Sequence, residues 1–254
     1  MKKLKGLRNV VVSFAAMVVL WQIVFSVSRF SPALFPSPAR AAAAFAETIA
    51  DGTLLTNIAA SLYRFAVGFV LSVVVAIAAG LVFGVLPRVF QFVNPVVQLL
   101  RPISPMAWAP FIVLWCGIGD VPAIVVVIIA AFFPVLLSTV SAVVNIDPIY
   151  FKVSRSFGVR QPEIMWKVIL PAAFPQIANG IRLALGTAWV FLAAGEMNGV
   201  QSGLGYMIVD ARNNMRTDTL LAAIIAIGAI GLALDGLLRL AERLLLKRWG
   251  GVEQ

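Results

Sequence analysis

Residues 121–145, VPAIVVVIIAAFFPVLLSTVSAVVN, contain no charged side chain, whereas the next segment, 147–171, DPIYFKVSRSFGVRQPEIMWKVILP, holds four basic residues, one Gly and three prolines. As a helix rising about 1.5 Å per residue, the first run is long enough to cross a hydrocarbon core of about 30 Å. Apolar segments of similar kind lie at about 9–28, 57–84, 92–117, 174–196 and 219–240. Over the whole chain 61% of residues are hydrophobic and 12% charged, against about 45–50% and about 25% in a soluble domain. A soluble chain of this length would still need polar surface to cover its core. The expectation is an all-α polytopic membrane protein with these six segments as transmembrane helices.

The formal charge of +9 raises nucleic acid as a partner, and placement decides against it. Lys2, Lys3, Lys5 and Arg8 precede the first span, Lys152, Arg155, Arg160 and Lys167 fall in the 147–171 segment, and Arg239, Arg243, Lys247 and Arg248 close the last span. Basic residues that flank apolar runs follow positive-inside bias rather than forming a patch interleaved with aromatics. An even number of crossings puts both termini on one side, the cytoplasm, together with 147–171. The outside then holds 29–56, GIGD at 117–120 and the stretch 198–218. Arg29, Arg40, Arg212 and Arg216 break the bias there, partly balanced by Glu47, Asp51, Asp210 and Asp218. Prolines in RFSPALFPSPAR forbid a continued helix, and AAAAFAETIA is expected as a short surface helix.

One cysteine, Cys116, and no histidine remove disulfide frameworks, Cys/His metal sites and His-based acid–base catalysis. Cys116 reads as a small apolar helix residue. The N-terminal apolar run is long for a signal sequence and shows no small-residue cleavage site, so it is expected as an uncleaved first span. There is no G-x-x-x-x-G-K-[ST] pattern in the sequence, so ATP, if used, is bound by another chain. No catalytic residue and no metal site is expected.

The 147–171 segment reads as two short helices at a bend. Asp147 is a good N-cap with Pro148 at the first helical position, and Gly158 suits a left-handed helix end. A second helix starts with Pro162 and Glu163 and is expected to stop before Pro171. Tyr150, Phe151, Val153, Ser154 and Phe157 give the first helix an aromatic side, while Lys152 and Arg155 lie on another. Two readings are open: an interfacial hairpin meeting anionic lipid headgroups, or a rigid element gripped by a cytoplasmic partner.

The spacing of Gly158, nine residues, then Val168-Ile169-Leu170-Pro171 resembles the "EAA loop" of permease subunits of ATP-binding-cassette importers. Lys152-Val153-Ser154 stands where that pattern has E-A-A. The resemblance extends over nearly the whole chain through FPSP at 35–38, SLYR at 61–64, RPISPMAWAPFIVLWCGIGD at 101–120, LPAAFPQIANGIRLALGTAW at 170–189 and AAGEMNGVQSGLGYMI at 193–208. These blocks are similar to the nitrate/sulfonate/taurine/bicarbonate branch of binding-protein-dependent permeases. The resemblance implies a single transmembrane permease domain over 1–254, with an N-terminal helix and periplasmic segment at 1–56 and a core transport domain at 57–245. It implies a bacterial inner-membrane location and a second permease copy as partner, a homodimer. It further implies two cytoplasmic ATPase subunits that carry ATP and Mg, and a periplasmic or lipid-anchored substrate-binding protein. On that resemblance 148–157 is a coupling helix seated on the ATPase, with contact residues Tyr150, Phe151, Lys152, Arg155, Ser156, Phe157 and Gly158, followed by Leu170 and Pro171.

Ionisable residues within spans are functional candidates by default. Arg64 and Arg182 are expected as structural charges that snorkel or pair with a carboxylate, and Asp235 as an i, i+4 partner of Arg239. Arg101 opens RPISPMAWAP, where Pro102, Pro105 and Pro110 interrupt the third span. Irregular backbone at membrane depth needs a covering protein or cavity. Arg101 therefore either lines a pathway and meets an anion, with Met106 and Trp108 as apolar wall, or ends a kinked packing helix. Glu196 precedes a Gly-rich stretch in which Gly199, Gly203 and Gly205 permit tight turns. By resemblance it lies in an outer gate, and it is alternatively a structural partner of Arg182 or Arg212.

The expected function is import of a small anion: nitrate, a sulfonate, taurine or bicarbonate. An uncharged or aromatic vitamin precursor is an alternative cargo. A self-sufficient ion-coupled carrier or channel would place carboxylates mid-span, and a membrane enzyme would show a nucleophile–base pair or metal cluster.

Overall fold

A computed structural model describes residues 2–27, 31, 34–147, 149, 150, 154, 156 and 161–248. Among the described residues the regular structure is helical. Helix α1 (Lys2–Val27) precedes α2 (Pro38–Ala50), whose N-cap Ser37 accepts from the Arg40 N–H at 3.3 Å. The expected short helix is thus present, and it is not wholly superficial, because Ala41, Ala44 and Thr48 are buried where it packs on the last helix and on α3. Asp51 accepts from the Thr53 N–H at 2.8 Å and so opens α3 (Thr53–Val85).

Pro87 starts α4 (Pro87–Leu100), and the chain then breaks at 101–104 before a 3₁₀ turn at Pro105–Trp108 and α5 (Ala109–Cys116). The two arms are bent by 81°. Pro102 falls in the break and Pro105 opens the 3₁₀ turn after it; neither has an N–H to continue the helical ladder. Pro110 does not interrupt, because it occupies the first turn of α5, where no helical N–H bond is due.

Helix α6 (Asp120–Val144) follows, then a continuous helical run over 161–196 that ends as α7 (Leu170–Glu196). The expected stop before Pro171 is not what forms. A π turn at Met165–Ile169 precedes Pro171, and the Leu170 N–H reaches back to the Met165 carbonyl. The widened turn relieves the ring clash that a proline would impose on an α-helix interior, so the helix passes through. Finally α8 (Leu204–Asn213) and α9 (Thr217–Arg248) complete the chain.

Among the described residues four helices are long and apolar enough to cross a membrane, 53–85, 120–144, 165–196 and 217–244, or five if the bent pair counts as one span. Contacts at both ends show that α3 and α6 run parallel: Arg64 meets Asp120 near their N-termini, and Gly84 meets Val143 near their C-termini. The bent pair therefore carries the chain from the C-terminal end of α3 back to the N-terminal end of α6, a full traverse. Helix α7 returns antiparallel between α6 and α9.

Lipid is as apolar as these side chains, so close van der Waals contact and interhelical hydrogen bonds hold such helices together. A stripe of small residues provides the contact: Gly68, Ser72, Ala76, Gly80 and Gly84, four apart and all buried on α3. A Cβ on Gly80 would sit 2.6 Å from the Thr139 Cβ, and one on Gly68 2.9 Å from the Val127 Cβ. Gly180 on α7 meets Ser138 just as tightly. The Ser72 hydroxyl donates to the Ile128 carbonyl at 2.9 Å, Ser138 to Gln176 at 2.8 Å and the Trp189 indole to Ile227 at 3.0 Å. Each such bond contributes on the order of 0.6 kcal/mol. Trp189 also packs edge-on against Phe65 at 5.3 Å between ring centres. The result is a rigid α3–α6–α7 body.

Candidate functional site: a mid-span cleft and a buried polar network

The break at 101–104 opens a cleft of about 350 Å³. Arg101, Ile103 and Pro105 supply one wall, α6 contributes Ile129, Ala130, Phe133, Pro134 and Leu137, and α7 adds Leu183, Thr187 and Phe191. These α6 and α7 residues come from the middle of their helices, so the cleft that Arg101 lines lies beside the midsections of α6 and α7. Its side chain is exposed and has no carboxylate partner among the described residues. Pro134 has no N–H for the Ala130 carbonyl, and both residues line the cleft. The site thus offers one cation and apolar walls, with the Thr187 hydroxyl donating to the Ala184 carbonyl of its own helix, within the size range of small-molecule pockets. Pro102 is exposed, while Met106 and Trp108 are half-buried in the 3₁₀ turn beside it.

A second constellation lies at the end where α3 and α6 begin and α7 finishes. Arg64 is 2% exposed and Glu196 1%. The Arg64 Nη1 donates to Glu196 Oε1 at 2.7 Å and to the Ser202 carbonyl at 2.7 Å. Its Nε donates to Asp120 Oδ1 at 2.7 Å and its Nη2 to the Ser202 hydroxyl at 2.5 Å. The Ser61 hydroxyl lies 2.9 and 2.8 Å from the two Glu196 oxygens, and can donate to one of them while accepting from the Leu204 N–H at 2.9 Å. Glu196 Oε2 accepts from the Gly205 N–H at 3.0 Å, and Asn57 Oδ1 from the Gly203 N–H at 2.7 Å. Two carboxylates face one guanidinium, but Asp120 keeps a half-solvated side chain, 54% exposed. The fully buried charge pair is therefore Arg64 with Glu196.

Glycine is required where this network closes. Gly203 has φ +104°, and a Cβ there would run into the Glu196 carboxylate and lie 2.6 Å from the Arg64 Nη1. Gly205 is buried against the Ala193 carbonyl.

Two expected pairings are corrected. Glu196 pairs with neither Arg182 nor Arg212: Arg182 bonds to Glu242 of α9, and Arg212 is exposed on α8. Antiparallel packing of α7 on α9 brings 182 to 242, whereas the start of α3 lies against the end of α7. Asp235 bonds to Arg239 at 2.6 Å within α9. The sequence assigns Asn57, Ser61, Asp120 and Ser202 no individual role, although SLYR, GIGD and the Gly-rich stretch hold three of them. The signal was a Ser and an Arg three positions apart within an apolar run.

At the opposite end, the Asp147 carboxylate accepts from the Ile149 N–H at 2.8 Å, and the Ser154 hydroxyl donates to the Tyr150 carbonyl at 2.7 Å. Tyr150, Ser154 and Ser156 are helical and Tyr150 is exposed. Phe151, Lys152, Arg155, Phe157 and Gly158 lie outside the described residues. Leu170 and Pro171 start α7, with Leu170 packed on a cluster around Ile164 and Ile169.

Comparison with known proteins supplies the family. The profile described as "Binding-protein-dependent transport system inner membrane component" matches residues 72–247. The permease protein SsuC of Bacillus subtilis (strain 168), named for aliphatic sulfonates transport, is 36% identical over 92% of this chain and 84% of its own length. The taurine transport system permease protein TauC of Escherichia coli (strain K12) is 32% identical over 95% and 90%. The nitrate import permease protein NrtB of Leptolyngbya laminosa is 36% identical over 74% and 67%. A solved structure of the MetNI methionine ABC transporter in inward facing conformations shares the fold, with a TM-score of 0.52 at 23% identity over 70% of this chain and 93% of that one. The relatives are transporter permeases, not enzymes. On this evidence the chain is a multi-pass membrane permease and belongs to the family of binding-protein-dependent transport system inner membrane components.

Proposed function

We propose that the chain is the permease subunit of an ATP-driven importer for a small organic anion in a bacterial inner membrane. The observation that carries this reading is Arg101, an exposed cation without a carboxylate partner among the described residues, in a mid-span cleft whose other liners are apolar or neutral. A guanidinium binds a sulfonate or carboxylate through paired N–H groups, and the apolar walls suit a carbon body. The names of the sulfonate, taurine and nitrate relatives support an anionic cargo. Arg101, Pro105 and the 3₁₀ turn with Met106 and Trp108 form the pathway wall in this reading, with Pro102 setting the break.

The remaining parts follow the family. The chain crosses six times as one permease domain, α1 and the bent pair each counting once, with both termini cytoplasmic. It pairs with a second copy, receives cargo from an external binding protein and docks two ATPase subunits, which hold ATP and Mg, through 147–171. Asp147 capping and the exposed Tyr150 support a preformed docking helix there.

The test is uptake in proteoliposomes that hold the chain with its ATPase and binding protein. ATP-dependent uptake of a labelled sulfonate is expected. It should fall more than tenfold in Arg101→Gln and less in Arg101→Lys, given about 1.5–3 kcal/mol for a hydrogen bond to a charged group. Gly158→Val should leave the protein in the membrane and uncouple hydrolysis from uptake. Failure to capture an ATPase subunit, or uptake driven by an ion gradient without ATP, would refute the reading.

A further inference from the structure

We propose that Glu196 and Arg64 are positioning residues that rivet α8 to the α3–α6–α7 body, so that α8 and the far, Leu170 end of α7 move as one unit. The proposal rests on the importer reading above.

The first support is how α8 begins. A helix N-terminus leaves backbone N–H groups without intrahelical partners. In α8 these groups are taken by side chains from other elements: Gly203 by Asn57, Leu204 by Ser61 and Gly205 by Glu196. Arg64 holds the Ser202 carbonyl just before them. Helix α8 is therefore seated in a socket built by the start of α3 and the end of α7.

The second support is the absence of slack in between. Beyond the π turn at Met165–Ile169, α7 runs over 170–196 as one helix, on the order of 40 Å long. Its Gly180 contact with Ser138 and the Gly68, Gly80 and Gly84 contacts of α3 with α6 are too close to admit even a methyl group. Packed interfaces of this density transmit displacement rather than absorb it. A push on the Leu170 end of α7 arrives at Glu196, and Glu196 grips α8.

Third, α8 has something to report. Its far end and the following turn expose Asp210, Arg212, Asn213, Asn214, Met215 and Arg216. This mixed-charge surface lies on the Glu196 side of the bundle, opposite 147–171, and suits a protein partner arriving there. The network then links arrival of the external partner at α8 to the segment that engages the ATPase.

The test is the number of ATP molecules hydrolysed per substrate imported by the reconstituted full complex. Glu196→Gln keeps an acceptor for the Gly205 N–H but removes the buried charge. It should raise the ratio by about fivefold or more, the low end of typical coupling between linked sites. Asn57→Ala loosens only the Gly203 contact and should raise it less. Glu242→Gln, which makes the same chemical change in the other Arg–Glu pair of α7, should leave the ratio at the wild-type value. A purely structural role for Glu196 would lower import and hydrolysis together and leave the ratio unchanged. Should Glu196→Gln not assemble, Asn57→Ala decides. Wild-type coupling in both variants overturns this proposal alone, whereas a wild-type chain that imports without ATP overturns the importer reading and the proposal with it.

Discussion

Arg64→Met is the most demanding test of the buried network. The substitution removes a guanidinium that is 2% exposed and makes contacts of 2.5–2.7 Å to Glu196, Asp120 and Ser202. Asp120 is half-exposed and can rehydrate, so its loss costs little. Glu196 cannot, and keeps only Ser61 and the Gly205 N–H. Removing one partner of a buried pair costs about 3–5 kcal/mol. At about 2–4 °C per kcal/mol for a chain of this size, the midpoint of thermal unfolding should fall by about 6–20 °C. Glu196→Gln should cost less, about 1–3 kcal/mol, because Arg64 retains Asp120 and both Ser202 contacts. The double variant should lose less than the sum of the two, by about 0.5–3 kcal/mol. Fluorescence-detected size exclusion after heating, in detergent or nanodiscs, reads all three. A midpoint for Arg64→Met within about 2 °C of wild type, less than the shift expected for one kcal/mol, would refute the assignment of Glu196 as a buried ion.

Gly80→Ala should destabilise by about 1–3 kcal/mol through overpacking, because its Cβ would meet Thr139 at 2.6 Å. Gly228→Ala, with nothing within 4 Å of its Cβ, should be neutral or stabilising by up to about 1 kcal/mol; the same thermal assay compares the two signs. The Thr53 backbone N–H, then its side chain, hold the Asp51 carboxyl below the usual carboxylate range. A carboxylate with a lowered folded pKa stabilises above its unfolded value of about 3.9 and loses that contribution as pH falls through the folded value. The stability difference between wild type and Asp51→Ala should therefore be constant at neutral pH and shrink below about pH 4.

Much of the architecture is legible in one dimension. Runs such as 121–145 carry no charge and exceed the thickness of a bilayer core, so helices of spanning length follow without tertiary knowledge. The prolines at 102 and 105 mark the break in the third segment, because a missing N–H acts locally. Pro171 misled for the opposite reason: its effect depends on the preceding turn, and a π turn at Met165–Ile169 accommodates it. The small-residue stripe from Gly68 to Gly84 stands out through its burial against α6, because neighbours on another helix decide which small residues matter.

Composition, charge placement and local breakers by themselves determined that this protein is a helical membrane chain and where its long apolar runs and its charged 147–171 segment lie. Those properties depend on neighbours within a few positions, or on totals over the whole chain. Only the tertiary structure decided that Arg64 meets Glu196, 132 residues away, that Arg182 turns instead to Glu242, and that Arg101 faces a mid-span cleft. A buried charge must find a partner, and which one it finds depends on which helix ends the packing brings together. In this bundle α3 and α6 run parallel and α7 returns between α6 and α9. That arrangement puts the start of α3 against the end of α7, a juxtaposition that no local pattern encodes.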